Sequence, residues 1–187
     1  ERYQKLRKEI EGTIAAIEGR TNQVAKTFQR ICLLLTDLEY MLEDGDDLEI
    51  TAKGNRLAKI YGERDLLVAE CLRRQAWRDV DAPELAAIVA TLVYEPRRDD
   101  GPVDPRFLPG GNYPSALDHT RRLHRKLSEV EQAHQLPTTS ELSPQLALAV
   151  HRWALGHHLD DILEGDDIQV GDFVRWCKQI IDVLDQI

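Results

Sequence analysis

The sequence lacks the long hydrophobic runs and the short catalytic motifs that classify many proteins at once. No stretch approaches the roughly 18 apolar residues of a membrane helix, and the charged start of the chain has no signal-peptide core. The patterns GxxxxGK[ST], GxGxxG, CxxC, HExxH and GxSxG are absent as well. We therefore expect a cytoplasmic protein without membrane association, and a chain that carries no nucleotide-binding or catalytic motif of its own.

Cysteine is scarce, and positive charge is outweighed by negative charge. Cys32, Cys71 and Cys177 are far apart and lie in apolar helical patterns, which predicts buried, reduced thiols rather than disulfides or metal ligands. The 24 basic and 33 acidic residues give a net charge of −9. This balance argues against a domain that holds nucleic acid by electrostatics alone, so any such contact would be local or shared with a more basic partner.

What is present is mostly amphipathic helix, so we predict a mainly α fold, a helical bundle. Residues 1–20 are predicted to form a stalk-like connecting helix. Residues 21–80 are predicted to form either a winged-helix-like unit near the N-terminus or a plain helical unit. Residues 81–187 are predicted to form a helical bundle, interrupted by the proline- and glycine-rich loop 95–114.

The predicted elements follow from apolar spacing and capping residues. A helix capped by Thr21, with Val24, Phe28, Ile31, Cys32 and Leu35 on its apolar face, is expected to run to Leu42. A solvated loop over Glu43–Asp47 and a short strand at Leu48–Thr51 follow it. The other predicted helices are Ala52–Tyr61, capped by Thr51, then Asp65–Trp77, 82–93, Ser115–Gln135, Pro144–Leu155, Leu159–Leu163 and Val170–Ile187.

The last of these helices carries two distinct faces. Its predicted buried face comprises Val170, Phe173, Val174, Cys177, Ile180, Ile181 and Leu184. A polar strip about 16 Å long, at roughly 1.5 Å per residue, comprises Arg175, Gln179, Asp182 and Gln186. Trp176 and Val183 lie between the two faces. Trp176 is open to two interpretations, stacking on a base or packing against a neighbouring helix.

Two acidic or histidine-rich stretches raise the question of a metal site. Asp44, Asp46 and Asp47 lack the order of ligands of an EF-hand, so a solvated turn is expected there. His157 and His158, followed by Asp160 and Asp161, offer metal-ligand chemistry, although adjacent helical residues point about 100° apart. A helical metal-dependent hydrolase built on these four residues is one alternative function, and helix-end polar residues are the other interpretation.

Three segments near the end of the chain, in order, resemble the DSHCT domain, the C-terminal helical domain of superkiller-like DExH-box RNA helicases of bacteria. They are Trp153-Ala154-Leu155-Gly156, the short stretch Leu159–Leu163, and Gly171–Arg175, which is similar to the family's entry into its last helix. Upstream, Glu84–Val89 with Val93–Glu95 and Phe28–Leu34 with Thr51–Gly54 are similar to further family segments. The motifs occur in the family's order over most of the chain.

The resemblance implies a fragment of a larger ATP-dependent machine used in RNA processing or decay. In such helicases, RecA-like motor domains of the same polypeptide use ATP and Mg, and the helical domain guides single-stranded RNA along a ratchet helix. Residues 170–187 match that helix, which implies nucleic-acid contacts by Arg175, Gln179, Lys178, Asp182 and Trp176. The chain departs from the family pattern at Gln179, where many members have Arg, and at Val170, where the family often has Glu. No cofactor is expected in this chain itself.

A helical scaffold that binds a protein partner is the alternative from another functional class. It would use the long first helix and the acidic surfaces. For the helicase interpretation, the resemblance implies RNA-decay proteins as further partners. The upstream presence of a phosphate loop and a DExH box would favour the helicase instead.

Overall fold

The computed structural model describes residues 22–45, 47–62, 64–96, 101–163 and 168–187. Within these ranges the protein is mainly α-helical, which confirms the predicted fold class. The chain divides into two compact units. Unit 1 comprises Glu1–Gly54 and Glu129–Thr138, and unit 2 comprises Asn55–Ser128 and Thr139–Ile187. The predicted stalk over residues 1–20 and the predicted cap Thr21 lie outside the described residues, and the predicted domain boundaries at residues 20 and 80 remain predictions.

The first described helix of unit 1, α1, covers residues 22–37 and ends earlier than predicted. Glu39 adopts a left-handed conformation with φ of +62°, and the Tyr40 backbone N–H donates to the Leu35 carbonyl oxygen at 2.8 Å. This is the geometry that closes a helix with one left-handed residue. The prediction of a helix to Leu42 is wrong because the chain turns at Glu39 and buries Tyr40, which is only 1% exposed.

The apolar face predicted for α1 is also wrong in part. Cys32 and Leu34 are buried, but Val24, Phe28 and Ile31 are exposed. A helix whose apolar residues spread around more than one face cannot bury all of them against one neighbour. Unit 1 therefore presents an apolar surface to its surroundings.

A β-hairpin follows α1. Strand β1 (Met41–Asp44) pairs antiparallel with strand β2 (Asp47–Ile50), with Met41 opposite Ile50. Gly45 takes a φ of +64° in the connection, a conformation that favours glycine. The predicted strand at the end of this segment is confirmed, whereas the predicted solvated loop Glu43–Asp47 is wrong where its ends pair as strands. Acidic side chains suggested a loop, but the backbone pairing, which sequence composition does not report, decides the structure.

Helix α2 (Ala52–Leu57) is capped as predicted. The Gly54 backbone N–H donates to Thr51 Oγ1 at 3.0 Å, and Thr51 Oγ1 donates in turn to the Tyr40 carbonyl oxygen at 3.0 Å. Gly54 is required by space, because a Cβ there would overlap the Tyr40 carbonyl oxygen. The helix ends before Tyr61, so the longer predicted helix is wrong at its C-terminal end.

Unit 2 is built around helix α4 (Ala82–Val93), which is buried along most of its length. Its other elements are α3 (Asp65–Arg73), the 3₁₀-helix Pro105–Phe107, α5 (Tyr113–Ala133), which ends in unit 1, α6 (Ala147–Ala154), α7 (Leu159–Leu163) and α8 (Val170–Leu184). Helix α4 packs against α6 and α8, and α7 packs against α6. The deep position predicted for the apolar run of α4 is confirmed, since Ala87, Ile88 and Val89 are fully buried.

The sequence placed these helices correctly and their ends less well. Helix α7 has the predicted bounds, while α3 ends before the predicted Trp77, and Leu72, predicted to be buried, is 41% exposed. Gly156 follows the end of α6 with a φ of +88°, as its predicted role in ending that helix requires.

The three cysteines and the described helices bear on the expectations from composition. Cys32, Cys71 and Cys177 are buried and free, and burial raises the pKa of Cys71 to about 12 and that of Cys177 to about 11. Among the described helices, none combines the length and the hydrophobicity needed to cross a bilayer.

Candidate nucleic-acid interface

The candidate interface lies along α8, whose buried face differs in orientation from the predicted one. Phe173, Cys177 and Ile180 are buried as predicted, and Trp176 is buried with them. The residues that were predicted to be buried but are 42–52% exposed are Val170, Val174 and Ile181. The helix is turned towards Trp176 and Val183, because α4 supplies the packing surface on that side.

This orientation brings the polar strip of α8 to the edge of a cleft within unit 2. Arg175, Gln179 and Asp182 line one side of a space of about 800 Å³. The lining also includes Trp176 and Val183 of α8, the C-terminal end of α4 with the two residues Glu95 and Pro96, and a group of residues before and within α3: Ile60, Tyr61, Gly62, Arg64, Asp65 and Val68. Four of the five residues predicted to contact nucleic acid therefore line one shared concave surface, namely Arg175, Gln179, Asp182 and Trp176.

Arg175 is the cation of this strip. Its side chain is 62% exposed, and its Nη2 lies 3.3 Å from Asp172 Oδ1 one turn earlier on the helix. Its guanidinium carbon lies 5.6 Å from the centre of the Trp176 ring. An exposed ion pair of this kind contributes little to stability, so Arg175 can turn towards a phosphate at small cost.

Trp176 is positioned by packing rather than offered to a ligand. It is 7% exposed, and its ring meets the Tyr94 ring edge-on with 4.8 Å between the ring centres. A ring covered in this way has little free face for a base. Of the two interpretations of Trp176 that the sequence left open, packing describes its position, although the residue still contributes to the cleft lining.

The remaining predicted residues differ in their placement. Gln179 and Asp182 are exposed and line the cleft, where an amide can donate to and accept from a base or a phosphate-bound water. Lys178 is exposed as well, but it is not among the residues that line the cleft. The structure thus groups Arg175, Gln179 and Asp182 and leaves Lys178 on the adjoining surface.

Gln186 joins the end of α8 to the opposite side of the cleft. Its Nε2 donates to the Asp182 carbonyl oxygen at 2.7 Å, and its Oε1 accepts from the Tyr61 backbone N–H at 2.5 Å. One amide thus satisfies a last-turn carbonyl of the helix and fixes the backbone of a segment 125 residues away in sequence. This bridge ties the end of α8 to Tyr61, a residue of the cleft lining.

Arg64, another residue of the cleft lining, binds several backbone carbonyl oxygens. This buried side chain donates to the backbone carbonyl of Leu92 at the end of α4 and, through Nη2, to Ser140 Oγ at 2.8 Å. Nη2 also lies 3.2 Å from the carbonyl oxygens of Ser140 and Glu141. A planar guanidinium that serves several carbonyls at once fixes the chain at these points.

The charge of the cleft is mixed. Arg64 and Arg175 are its cations, and Asp65, Glu95 and Asp182 are its carboxylates among the described lining residues. Burial raises the pKa of the Asp65 carboxyl, and the hydrogen bond from the Leu66 N–H at 2.6 Å partly opposes that rise. A surface of this composition selects a ligand by shape and local contacts more than by overall attraction.

The metal-site candidates do not converge in space. The described residues contain no group of three or more His, Cys, Asp or Glu side chains that could hold a metal ion. His157, His158, Asp160 and Asp161 are all described and all exposed at the surface. Asp46 lies outside the described residues.

Residues 47–187 match the DSHCT (NUC185) domain family. The chain belongs to this family. The match includes all of unit 2 and confirms the resemblance predicted from the ordered motifs around Trp153, Leu159 and Gly171.

The relatives of this DSHCT domain are named as helicases. Over its whole length the chain is 38% identical to a protein named Probable helicase HelY from Mycobacterium leprae (strain TN) and 37% identical to its namesake from Mycobacterium tuberculosis (strain CDC 1551 / Oshkosh). It covers 21% and 22% of those proteins. Over 72% of the chain it is 27% identical to the DExH-box ATP-dependent RNA helicase DExH15 chloroplastic from Arabidopsis thaliana, of which it covers 12%.

The sequence did not identify the far side of the cleft in this DSHCT domain. Tyr61, Arg64 and Glu95 line it, and none of them stood out as a candidate. For Tyr61 the sequence offered one local signal, its place beside Gly62, because glycine marks turns. For Arg64 no pattern could have shown that its partners lie at Leu92 and Ser140.

Proposed function

We propose that the chain is the C-terminal accessory region of an ATP-dependent RNA helicase, and that α8 guides single-stranded RNA through the helicase ring during RNA processing or decay. The observation that carries this proposal is the cleft in which Arg175, Gln179 and Asp182 face one concave surface of a DSHCT domain. Support comes also from relatives that are named as helicases and that are several times longer than this chain.

The cleft is suited to a contact that positions a nucleic-acid strand without binding it tightly. Arg175 supplies one exposed cation for a phosphate, and Gln179 supplies an amide one turn further along. The neighbouring carboxylates and the net charge of −9 keep the overall attraction low. A strand that must move past the surface benefits from weak, repeated contacts, because tight binding would slow its release.

Within this proposal, the motor domains of the same polypeptide bind ATP and Mg and drive movement. The DSHCT domain contributes no step of hydrolysis. It orients the strand that the motor pulls, and the complete protein acts in the cytoplasm.

The proposal is tested by unwinding with the complete protein that carries this chain. Changing Arg175 and Gln179 together to Ala removes the cation and the amide from the cleft while leaving the packed face of α8 intact. We expect the unwinding rate to fall by roughly 5- to 30-fold, corresponding to one or two lost charge-assisted contacts at about 1–2 kcal/mol in total, while thermal stability stays nearly unchanged.

The matched control is Arg152→Ala, which removes an exposed arginine of α6 that does not line the cleft. It should unwind RNA at the parental rate. Unchanged unwinding by the Arg175 and Gln179 double variant would overturn the proposed contact. It would leave the scaffold alternative, which the exposed Val24, Phe28 and Ile31 of unit 1 favour.

A further inference from the structure

The cleft contains an exposed aromatic side chain that has no packing role comparable to that of Trp176. Tyr61 is 74% exposed, although the residue before it, Ile60, is buried. Tyr61 and Trp176 are the aromatic residues among the described lining of the cleft, and Trp176 already packs against Tyr94. The aromatic ring that remains accessible to a ligand in this cleft is therefore that of Tyr61.

The backbone of Tyr61 is held in place while its ring projects into the solvent. Its N–H donates to Gln186 Oε1 at 2.5 Å, and Gln186 is itself tied to α8 through the Asp182 carbonyl oxygen. A fixed backbone with an accessible ring loses little conformational freedom when a flat ligand stacks on it.

The chemistry beside Tyr61 fits a single strand of nucleic acid. Sites for such strands combine cations that follow the backbone with aromatic rings on which bases stack, and the stacking tolerates any base sequence. Arg175 is the exposed cation of the cleft, and Tyr61 is part of the same lining. Stacking would also remove from water a large aromatic surface that the folded unit leaves exposed.

We propose that Tyr61 is the base-stacking residue of the cleft, so that a base rests on its ring while Arg175 contacts a neighbouring phosphate. This inference rests on the function proposed above, and it assigns to Tyr61 the role that the sequence suggested for Trp176. RNA and DNA single strands share the chemistry that the ring recognises, so stacking alone does not separate them.

The test measures binding of single-stranded oligonucleotides to the complete protein at one fixed salt concentration, with RNA and DNA of the same sequence as separate arms. Tyr61→Ala should weaken binding by roughly 5- to 150-fold, the loss expected for one stacked base. Tyr61→Phe keeps the ring and should bind within about twofold of the parental protein. Phe107→Ala removes an exposed aromatic residue outside the cleft, 63% exposed, and should leave binding unchanged.

An abasic strand separates stacking from a structural effect. On an oligonucleotide whose bases are removed, the parental protein and Tyr61→Ala should bind alike, because no base remains to stack. A loss that persists on the abasic strand, or an equal loss with Tyr61→Phe, would overturn the stacking assignment.

The outcome also distinguishes this inference from the proposed function. If Tyr61→Ala binds and unwinds like the parental protein while the Arg175 and Gln179 double variant unwinds poorly, the stacking inference fails and the helicase role stands. If neither variant changes unwinding, both fail.

Discussion

Glu84 shows how one buried carboxylate organises two parts of unit 2. Its Oε2 accepts from the Asp81 N–H at 3.0 Å and its Oε1 accepts from the Asn112 N–H at 2.7 Å. The first bond completes the capping box of α4, since the Glu84 N–H donates to Asp81 Oδ1 at 2.9 Å. The second pins the end of the proline- and glycine-rich loop to the start of that helix.

Gly111, just before Asn112, allows the hydrogen bond between the Asn112 N–H and Glu84 Oε1, which we call the Glu84 clamp. It has a φ of +63°, and a Cβ at this position would overlap Glu84 Oε1. Gly111→Ala should lower the free energy of unfolding by about 2–4 kcal/mol, from left-handed strain and from displacement of a buried hydrogen-bonded carboxylate. Urea denaturation with an unchanged m-value would measure this loss.

The neighbouring glycine and a double-mutant cycle serve as controls for Gly111. A Cβ at Gly110 would meet nothing within 4 Å, so Gly110→Ala should change the free energy of unfolding by less than about 0.5 kcal/mol. In a Glu84→Ala background, Gly111→Ala should cost less than it does alone, because the overlapping oxygen is gone. If the losses of unfolding free energy from Gly111→Ala and Glu84→Ala were strictly additive, the contact between position 111 and Glu84 would be contradicted.

At this scale the sequence predicts local bonds and misses distant ones. The start of α4 at Ala82-Pro83-Glu84 was predictable, because proline in the first turn is a short-range signal. That Glu84 also binds Asn112, 28 residues later, depends on how the loop folds back and leaves no local trace.

At the scale of the element, α8 shows which property of a helix its sequence determines. Its period and its bounds are close to the predicted ones, but its buried face is turned by part of a helical turn. At about 100° per residue, its apolar residues cover an arc about 180° wide, which is more than one neighbour can bury. Which half of that arc is buried depends on α4, and the sequence of α8 alone does not contain that information.

A matched pair of substitutions tests the orientation of α8. Ile180 is fully buried and Ile181 is 42% exposed, although the two residues are adjacent and chemically identical. Ile180→Ala should lower the free energy of unfolding by about 2–5 kcal/mol through a lost core contact and a cavity. Ile181→Ala should lower it by less than about 1 kcal/mol.

Chemical denaturation of both variants measures the difference. Equal losses of stability would contradict the orientation of α8 and favour the wider buried face predicted from spacing alone. The same result would weaken the assignment of Arg175 and Gln179 to the cleft, because their position follows from that orientation.

At the scale of the whole molecule, the net charge and the lining of the cleft favour a local contact with nucleic acid over binding by overall charge. A net charge of −9 does not hold a polyanion, and the described lining of the cleft carries more carboxylates than cations. The DSHCT family and the mainly α-helical fold were both predictable, because ordered motifs and helical periodicity survive in the sequence. The cleft was not predictable, because its residues are far apart in the sequence. The hydrogen bond between the Tyr61 N–H and Gln186 Oε1 beside it, for example, spans 125 residues.

The measurement that tests the central claim most directly is photo-crosslinking of single-stranded RNA to the complete protein during ATP hydrolysis. A p-benzoylphenylalanine placed at position 179 lies in the cleft, and the same residue placed at position 152 lies on exposed α6 outside it. The account predicts a strong crosslink from position 179 and background yield from position 152. Equal yields, or a crosslink from position 152 alone, would contradict the claim that RNA passes along this cleft.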